Sequence, residues 1–293
     1  MKHPIRTAVF PVAGLGARFL PATKACPKEM LTVVDKPLIH YAVEEAKKSG
    51  IENFVFVTSQ GKTAIEDHFD HNAPLERILT ERGKVTELNQ LKSLELSPGQ
   101  AIFVRQQAPL GLGHAVWCAR HLVGHNPFAL ILADDLVLSE QPCLQQMIDC
   151  YQEVKGNVVA VMDVEKDHVS RYGILDIQHD DGIRVQAKGV IEKPAPETAP
   201  SQTAIIGRYI LHPDIFNILE TQKVGIGGEV QLTDAFTPLI KKMPFHGLRF
   251  SGQRFDCGTK EGWLEANIAF AYARNDLKHK LIDAIKRHCK TSL

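Results

Sequence analysis

Residues 5–12 form an almost unbroken apolar run of β-branched and aromatic side chains. Such a run predicts a strand buried on both faces, as in a parallel sheet. Over residues 37–50 the apolar positions switch to helical spacing. Ile39, Ala42, Val43 and Ala46 share one face, Pro37 suits the first turn and Gly50 the C-terminal cap. Apolar runs at 54–58, 101–106 and 128–132 predict three more strands, with helical patterns between them, notably at 112–120. Strand–helix alternation predicts a parallel sheet with right-handed crossovers and helices on both faces. Ligands in such sheets bind beyond the carboxyl ends of the strands.

The second half has a different rhythm. Residues 158–164, 173–178, 182–192 and 203–211 are strand-like with few helices between, predicting an antiparallel or mixed extension of the sheet. The stretch 193–200 carries Pro194, Pro196 and Pro200 and reads as a loop. A helix is expected over 231–242, and a helical tail with short breaks over 262–290. There is no internal repeat or long linker, so the chain is expected to fold as a single domain over 1–293. Within it the rhythm divides the chain at about 1–155, 156–258 and, as C-terminal helices, 259–293, in an α/β, Rossmann-like, mainly parallel sheet with a smaller β extension.

Charge narrows the function classes. Lys plus Arg and Asp plus Glu balance at 34 each, so no global field directs the chain to nucleic acid or an anionic membrane. An anionic ligand must be held by local cations. The six cysteines form no CxxC pair and no Cys/His cluster with zinc spacing, which fits reduced thiols in a cytoplasmic protein. No apolar stretch approaches the length of a membrane span.

The segment after the first strand carries the densest chemistry. Gly14 and Gly16 offer backbone N–H groups that a phosphate or base can approach without a Cβ in the way. Arg18 and Lys28 add a bidentate fork and a point charge on the same loop. Taken alone, these residues leave both a phosphate cradle and a plain tight turn open. Phe19 occupies the third glycine position of GxGxxG, and no Gly-Lys-Ser/Thr follows, so neither a dinucleotide fingerprint nor a Walker loop is present. Two further segments are ambiguous in the same way. Gln106 has an amide able to read a pyrimidine edge, or it merely ends a strand on a polar loop. Asp134 and Asp135 end an apolar strand, where they suit a hard cation or a solvated turn.

The run GLGARFLPATKACPKEML, followed by Val34-Asp35-Lys36-Pro37-Leu38-Ile39, resembles the signature of the sugar nucleotidyltransferases, G-x-G-x-R-x-x-P-x-T-x-x-x-P-K, with every fixed residue present. Within them it is most similar to the bacterial uridylyltransferases that act on glucose 1-phosphate. The likeness extends through Val104–Ala115, Leu130–Leu136, Tyr172-Gly173, Val190–Pro194, Gly227–Ala235 and Phe255–Thr259. It departs from the family form at Ala133, where proline is usual; this affects the loop and not the ligand.

The resemblance implies transfer of uridylyl from UTP to glucose 1-phosphate, giving UDP-glucose and pyrophosphate. Arg18, Lys28 and Lys193 are then the catalytic cations. Ala13, Gly14, Gly16, Gln106 and Gly111 hold the nucleotide. Gly173, Glu192 and Glu229 face the sugar or its supporting shell. Asp134 and Asp256 are ligands of Mg²⁺, and Asp135 is expected to face solvent or bond the backbone. A homodimer or homotetramer is expected. The alternatives are a thymidylyl- or cytidylyltransferase and a non-catalytic regulatory paralogue. The latter tends to lose the loop arginine, which is present here.

Overall fold

The computed structural model describes residues 5–222 and 228–289. In chain order the elements are β1 (Thr7–Pro11), β2 (Thr32–Val33), β3 (Lys36–Pro37), α1 (Leu38–Lys48), β4 (Asn53–Thr58), α2 (Thr63–Phe69), α3 (Ala73–Glu81), α4 (Val85–Leu94) and β5 (Ala101–Arg105). Then follow α5 (Leu112–Cys118), α6 (Arg120–Val123), β6 (Phe128–Ile131), β7 (Asp135–Leu138), α7 (Cys143–Val154), β8 (Asn157–Asp163), β9 (Gly173–Asp180), β10 (Arg184–Glu192) and β11 (Thr203–Leu211). The chain ends with α8 (Asp214–Thr221), α9 (Phe236–Ile240), β12 (Phe245–Arg249), β13 (Gln253–Asp256), α10 (Lys260–Ala273) and α11 (Lys278–Cys289).

Nine strands form one sheet in the order β5-β4-β1-β6-β11-β8-β12-β10-β9. The first four are mutually parallel. β11 is antiparallel to β6 and β8, β12 is parallel to β8, and β10 is antiparallel to β12 and β9. Only β11 and β10 therefore run against the other strands of this sheet. The parallel half and the mixed extension match the two rhythms of the sequence.

Period-2 alternation explains the double core. On β1 and β4, Val9, Val55 and Val57 enter one apolar cluster with α5, α8 and α9. Ala8, Phe10, Phe54 and Phe56 enter the opposite cluster with α1 and α7. Helix α1 presents the predicted stripe to that core, starts after Pro37, and is followed by Gly50 at φ 81°.

Two predicted helices differ in detail. The pattern at 112–120 ends at Cys118, and α6 begins after Ala119. The expected helix over 231–242 is broken into a 3₁₀ turn, Thr233–Ala235, and α9. Pro238 has no N–H to bond the preceding turn, so it is tolerated only in the first turn of a new helix. Of the glycine run 225–228, only Gly228 lies within the described residues.

The pairing that builds the site lies outside the main sheet. β7 and β13 form an antiparallel ribbon with Asp256 opposite Asp135. Leu136 and Phe255 anchor it in a third cluster with Val33, Leu38 and Ala266 of α10. On the sheet side, fully buried Arg208 of β11 binds Glu45 of α1 (Nη2–Oε2 2.9 Å) and donates to the Leu132 carbonyl (3.1 Å). This fixes the strand end from which Asp134 and Asp135 emerge.

Candidate active site

The glycine loop leaves the carboxyl end of β1 with its carbonyls turned inward. Ser59 donates to Ala13 O (3.0 Å), Lys62 to Gly14 O (2.7 Å) and Thr23 to Gly16 O (2.7 Å). The N–H groups of Gly14, Leu15 and Gly16 find no acceptor among the described residues. Successive free N–H groups of this kind attract an anion. Gly16 sits at φ 69°, and a Cβ there would come within 3.0 Å of the Lys28 Cβ, so loop and lysine are closely packed.

Lys28 Nζ contacts Asp134 Oδ2 at 2.6 Å. Burial works against both charges, but each partner outweighs it: Lys28 is raised above its ordinary value and Asp134 lowered below its own. Gly258 marks where the groups converge. A Cβ placed there would lie 2.9 Å from Asp256 Oδ1, 3.1 Å from Asp134 Oδ2 and 3.9 Å from Arg18 Nη1. Arg18, Lys28, Asp134 and Asp256, which span most of the chain, thus meet at one point.

Burial raises the Asp256 carboxyl, and the neighbouring Asp135 and Asp134 add to this against the pull of Arg254. A bound cation would relieve that repulsion. Two carboxylates offer the hard oxygen ligands that suit a divalent cation. Burial pushes the adjacent Cys257 thiol up to about 12, so it stays protonated and offers no thiolate. Asp135 is not in solvent. It accepts from Gly207 N (2.6 Å), and its other oxygen pairs with Arg254.

On the other side of Asp256 lies a cavity of about 320 Å³ lined by, among others, Tyr172, Gly173, Glu192, Lys193 and Arg254. Glu192 Oε2 accepts from Thr233 Oγ1 at 2.8 Å. A Cβ on Gly173 would stand 2.8 Å from Thr233 Cγ2 and 3.4 Å from Glu192 Oε2, so only glycine leaves this wall open. Lys193 holds φ at 46°, an uncommon conformation for a side-chain-bearing residue. Its N–H is fixed on Tyr172 O (2.9 Å), while its ammonium is half exposed and only 3.3 Å from Glu192 Oε1. Glu229 does not line this cavity. It packs against Gly111, is exposed, and accepts from Gln231 (3.1 Å).

Gln106, at the end of β5, is buried, and its Nε2 donates to Gly111 O at 3.0 Å. Gly111 has φ 92°, and a Cβ on it would meet Glu229 Cβ at 2.7 Å and Val230 O at 2.9 Å. Val230 N to Leu110 O (2.7 Å) and Gly113 N to Val230 O (2.8 Å) clamp the two segments together.

Sequence reasoning missed several residues that organise these groups. Lys62 also pairs with buried Glu29 (2.7 Å), tying the glycine loop to the turn that carries Lys28. Nothing local marks it, because its partners lie 33 and 48 positions away. Arg254 reaches Asp135, donates to Tyr172 Oη (3.0 Å) and lies 3.8 Å from Asp256. It therefore links the carboxylate pair to the residue that fixes the Lys193 backbone. Its position two before Asp256 on a strand, hence on the same face, was the available signal.

A mixed sheet with a glycine loop, two loop cations and facing carboxylates at the strand ends suits an enzyme that handles a nucleotide's phosphates. The sequence matches the nucleotidyl transferase family over residues 8–272, and the chain belongs to it. A UTP–glucose-1-phosphate uridylyltransferase of Komagataeibacter xylinus is 49% identical over 260 residues, 89% of this chain and 92% of the relative. The UTP-bound enzyme of the same kind from Acinetobacter baumannii superimposes with TM-score 0.89 at 39% identity, covering 96% of this chain and 98% of the other. A UDP-glucose pyrophosphorylase complexed with UDP-glucose gives TM-score 0.84 at 42% identity, covering 92% of this chain and 100% of the other.

Proposed function

We propose that the chain transfers the uridylyl group of UTP to α-D-glucose 1-phosphate, giving UDP-glucose and pyrophosphate. The observation that carries this reading is the meeting of Arg18, Lys28, Asp134 and Asp256 around Gly258, beside a cavity with Glu192 and Lys193 on its wall. The similarity to UTP–glucose-1-phosphate uridylyltransferases supports the choice of substrates.

The attacking group is already a phosphate oxyanion, so the reaction needs no general base. It needs alignment and neutralisation of charge. The free N–H groups at Gly14 to Gly16, with Arg18 and Lys28, hold the triphosphate and offset charge on the departing pyrophosphate. Lys193 holds the attacking phosphate in line, and its strained, tethered backbone fixes the direction of approach. Glu192, oriented by Thr233, and the open wall at Gly173 receive the sugar hydroxyls, with Glu229 in the shell behind the base segment. Gln106 and the Gly111 backbone read the uracil edge. Asp134 and Asp256 would hold Mg²⁺, which supplies charge neutralisation to the phosphates when bound. The expected setting is a cytoplasmic homodimer or homotetramer, which light scattering checks for assembly. Among the described residues no helix is long and apolar enough to cross a membrane.

The test is pyrophosphate release with glucose 1-phosphate and Mg²⁺, comparing UTP, dTTP, CTP and ATP. Strong preference for UTP is the expected result. Preference for another nucleotide moves the chain to a sister activity, and no release with any of them from folded protein overturns the reading.

A further inference from the structure

The amide of Gln106 is held by more than one acceptor. Its Nε2 faces the Gly111 carbonyl at 3.0 Å and His114 Nδ1 at 3.0 Å. A backbone carbonyl can only accept, so the nitrogen end of the amide must be the end that faces it. The amide's second hydrogen then points at His114 Nδ1, which must present a lone pair. The Cys118 thiol, 3.9 Å from the same nitrogen, can donate to that lone pair as well. The ring is therefore neutral with its proton on Nε2. Burial and the nearby Arg120 both lower His114 below its ordinary value and keep it in that form. Both amide hydrogens are consumed inside the protein, and Oε1 is left as the end offered to a ligand. The neighbouring Gly111 N–H has no acceptor among the described residues. The site therefore presents one acceptor and one donor side by side.

We infer that His114 is a specificity-determining residue. By fixing the Gln106 amide it selects a pyrimidine that offers an N–H at ring position 3 beside a carbonyl, and rejects one that offers a lone pair beside an amine. Uracil and thymine have the first edge and cytosine the second. This deepens the uridylyl reading and rests on Gln106 facing the base. Turning the amide to suit cytosine would point Oε1 at two acceptors at once, a cost of two lost hydrogen bonds plus repulsion. Without His114 only the Gly111 carbonyl opposes the turn. His114 acts through Gln106, so it is a positioning residue, and its signature is a change in base ratio that a merely structural role would not produce.

The experiment measures kcat/KM with UTP, CTP and dTTP at saturating glucose 1-phosphate for the full chain and two variants. His114→Leu removes the acceptor, and His114→Asn keeps an acceptor oxygen near the Nδ1 position. The expected result for His114→Leu is a UTP:CTP ratio lowered about tenfold, the scale of one unsatisfied buried hydrogen-bonding group, with the UTP:dTTP ratio unchanged. His114→Asn should stay within about threefold of the parent on the same scale. An unchanged UTP:CTP ratio in a folded His114→Leu protein overturns the inference, as does an equal fall in both variants or a fall in UTP:dTTP alongside UTP:CTP. A parent enzyme with no preference for UTP over CTP would instead overturn the underlying reading of Gln106, so the two failures are distinct.

Discussion

Lys62→Met keeps the apolar stem of the side chain and removes its ammonium. In the parent, that ammonium lies 2.7 Å from Glu29 Oε2 and 2.7 Å from Gly14 O. Glu29 is 1% exposed, and its other oxygen, Oε1, has no hydrogen-bond partner among the described residues. The variant leaves this carboxylate buried without its partner, which typically costs ~3–5 kcal/mol. At about 2 °C per kcal/mol for a large domain, the thermal midpoint should fall by roughly 6–10 °C. The deficit should also depend on pH. Burial already raises Glu29, while Lys62 and Lys28 pull it down; loss of Lys62 raises it further. A carboxyl with a folded pKa above its unfolded value destabilises fully above the folded pKa and not at all below the unfolded one, near ~4.3. The gap between variant and parent should therefore narrow on going from pH 8 to pH 5. Glu29→Gln added to Lys62→Met removes the stranded charge and should recover a good part of the loss. The assay is thermal and urea unfolding at both pH values. A single variant within ~1 kcal/mol of the parent, well below the cost of breaking a buried pair, would refute the reasoning, and so would a gap that widens on acidification.

Arg18→Ala and Lys193→Ala should each lower kcat by about 10²-fold or more, the scale of losing a charge-stabilising donor; near-normal turnover in folded protein contradicts their roles. Gly111→Ala places a Cβ 2.7 Å from Glu229 Cβ at φ 92°, so it should raise the KM for UTP and lower stability by ~1–3 kcal/mol, as read by kinetics and unfolding together. Thr233→Val removes the 2.8 Å bond to Glu192. It should raise the KM for glucose 1-phosphate several-fold with the KM for UTP unchanged, and an equal rise in both would argue against Glu192 as a sugar contact.

The parallel half of the sheet was legible because strands buried on both faces leave continuous apolar runs, as at Val55–Phe56–Val57. Helix α1 was legible because its stripe, its proline and its glycine agree. The β7–β13 ribbon was not: each strand has four residues, and Asp-Leu-Val-Leu and Gln-Arg-Phe-Asp are too short to establish a period. Arg18 and Lys28 were visible through one contiguous motif, and Lys193 through the separate segment Val190–Pro194. Their supports were harder to see, because Lys62, Arg254 and Arg208 act through partners distant in sequence, and a lone basic residue carries no signal of burial; only the spacing of Arg254 from Asp256 hinted at a shared face. Pro238 did carry a signal, and it explains why the expected helix over 231–242 starts anew at Phe236.

The pairing of β13 with β7 also has a consequence for the order in which the molecule is made. Residues up to 155 already hold Lys28, Asp134 and the parallel strands β5, β4, β1 and β6. Asp256 arrives only with the last part of the chain and reaches Asp135 by zipping onto a strand more than a hundred residues older. A chain still on the ribosome thus carries half of the carboxylate pair and lacks the Arg254 bridge. The ribbon that sets Asp256 opposite Asp135 closes only when synthesis is nearly complete.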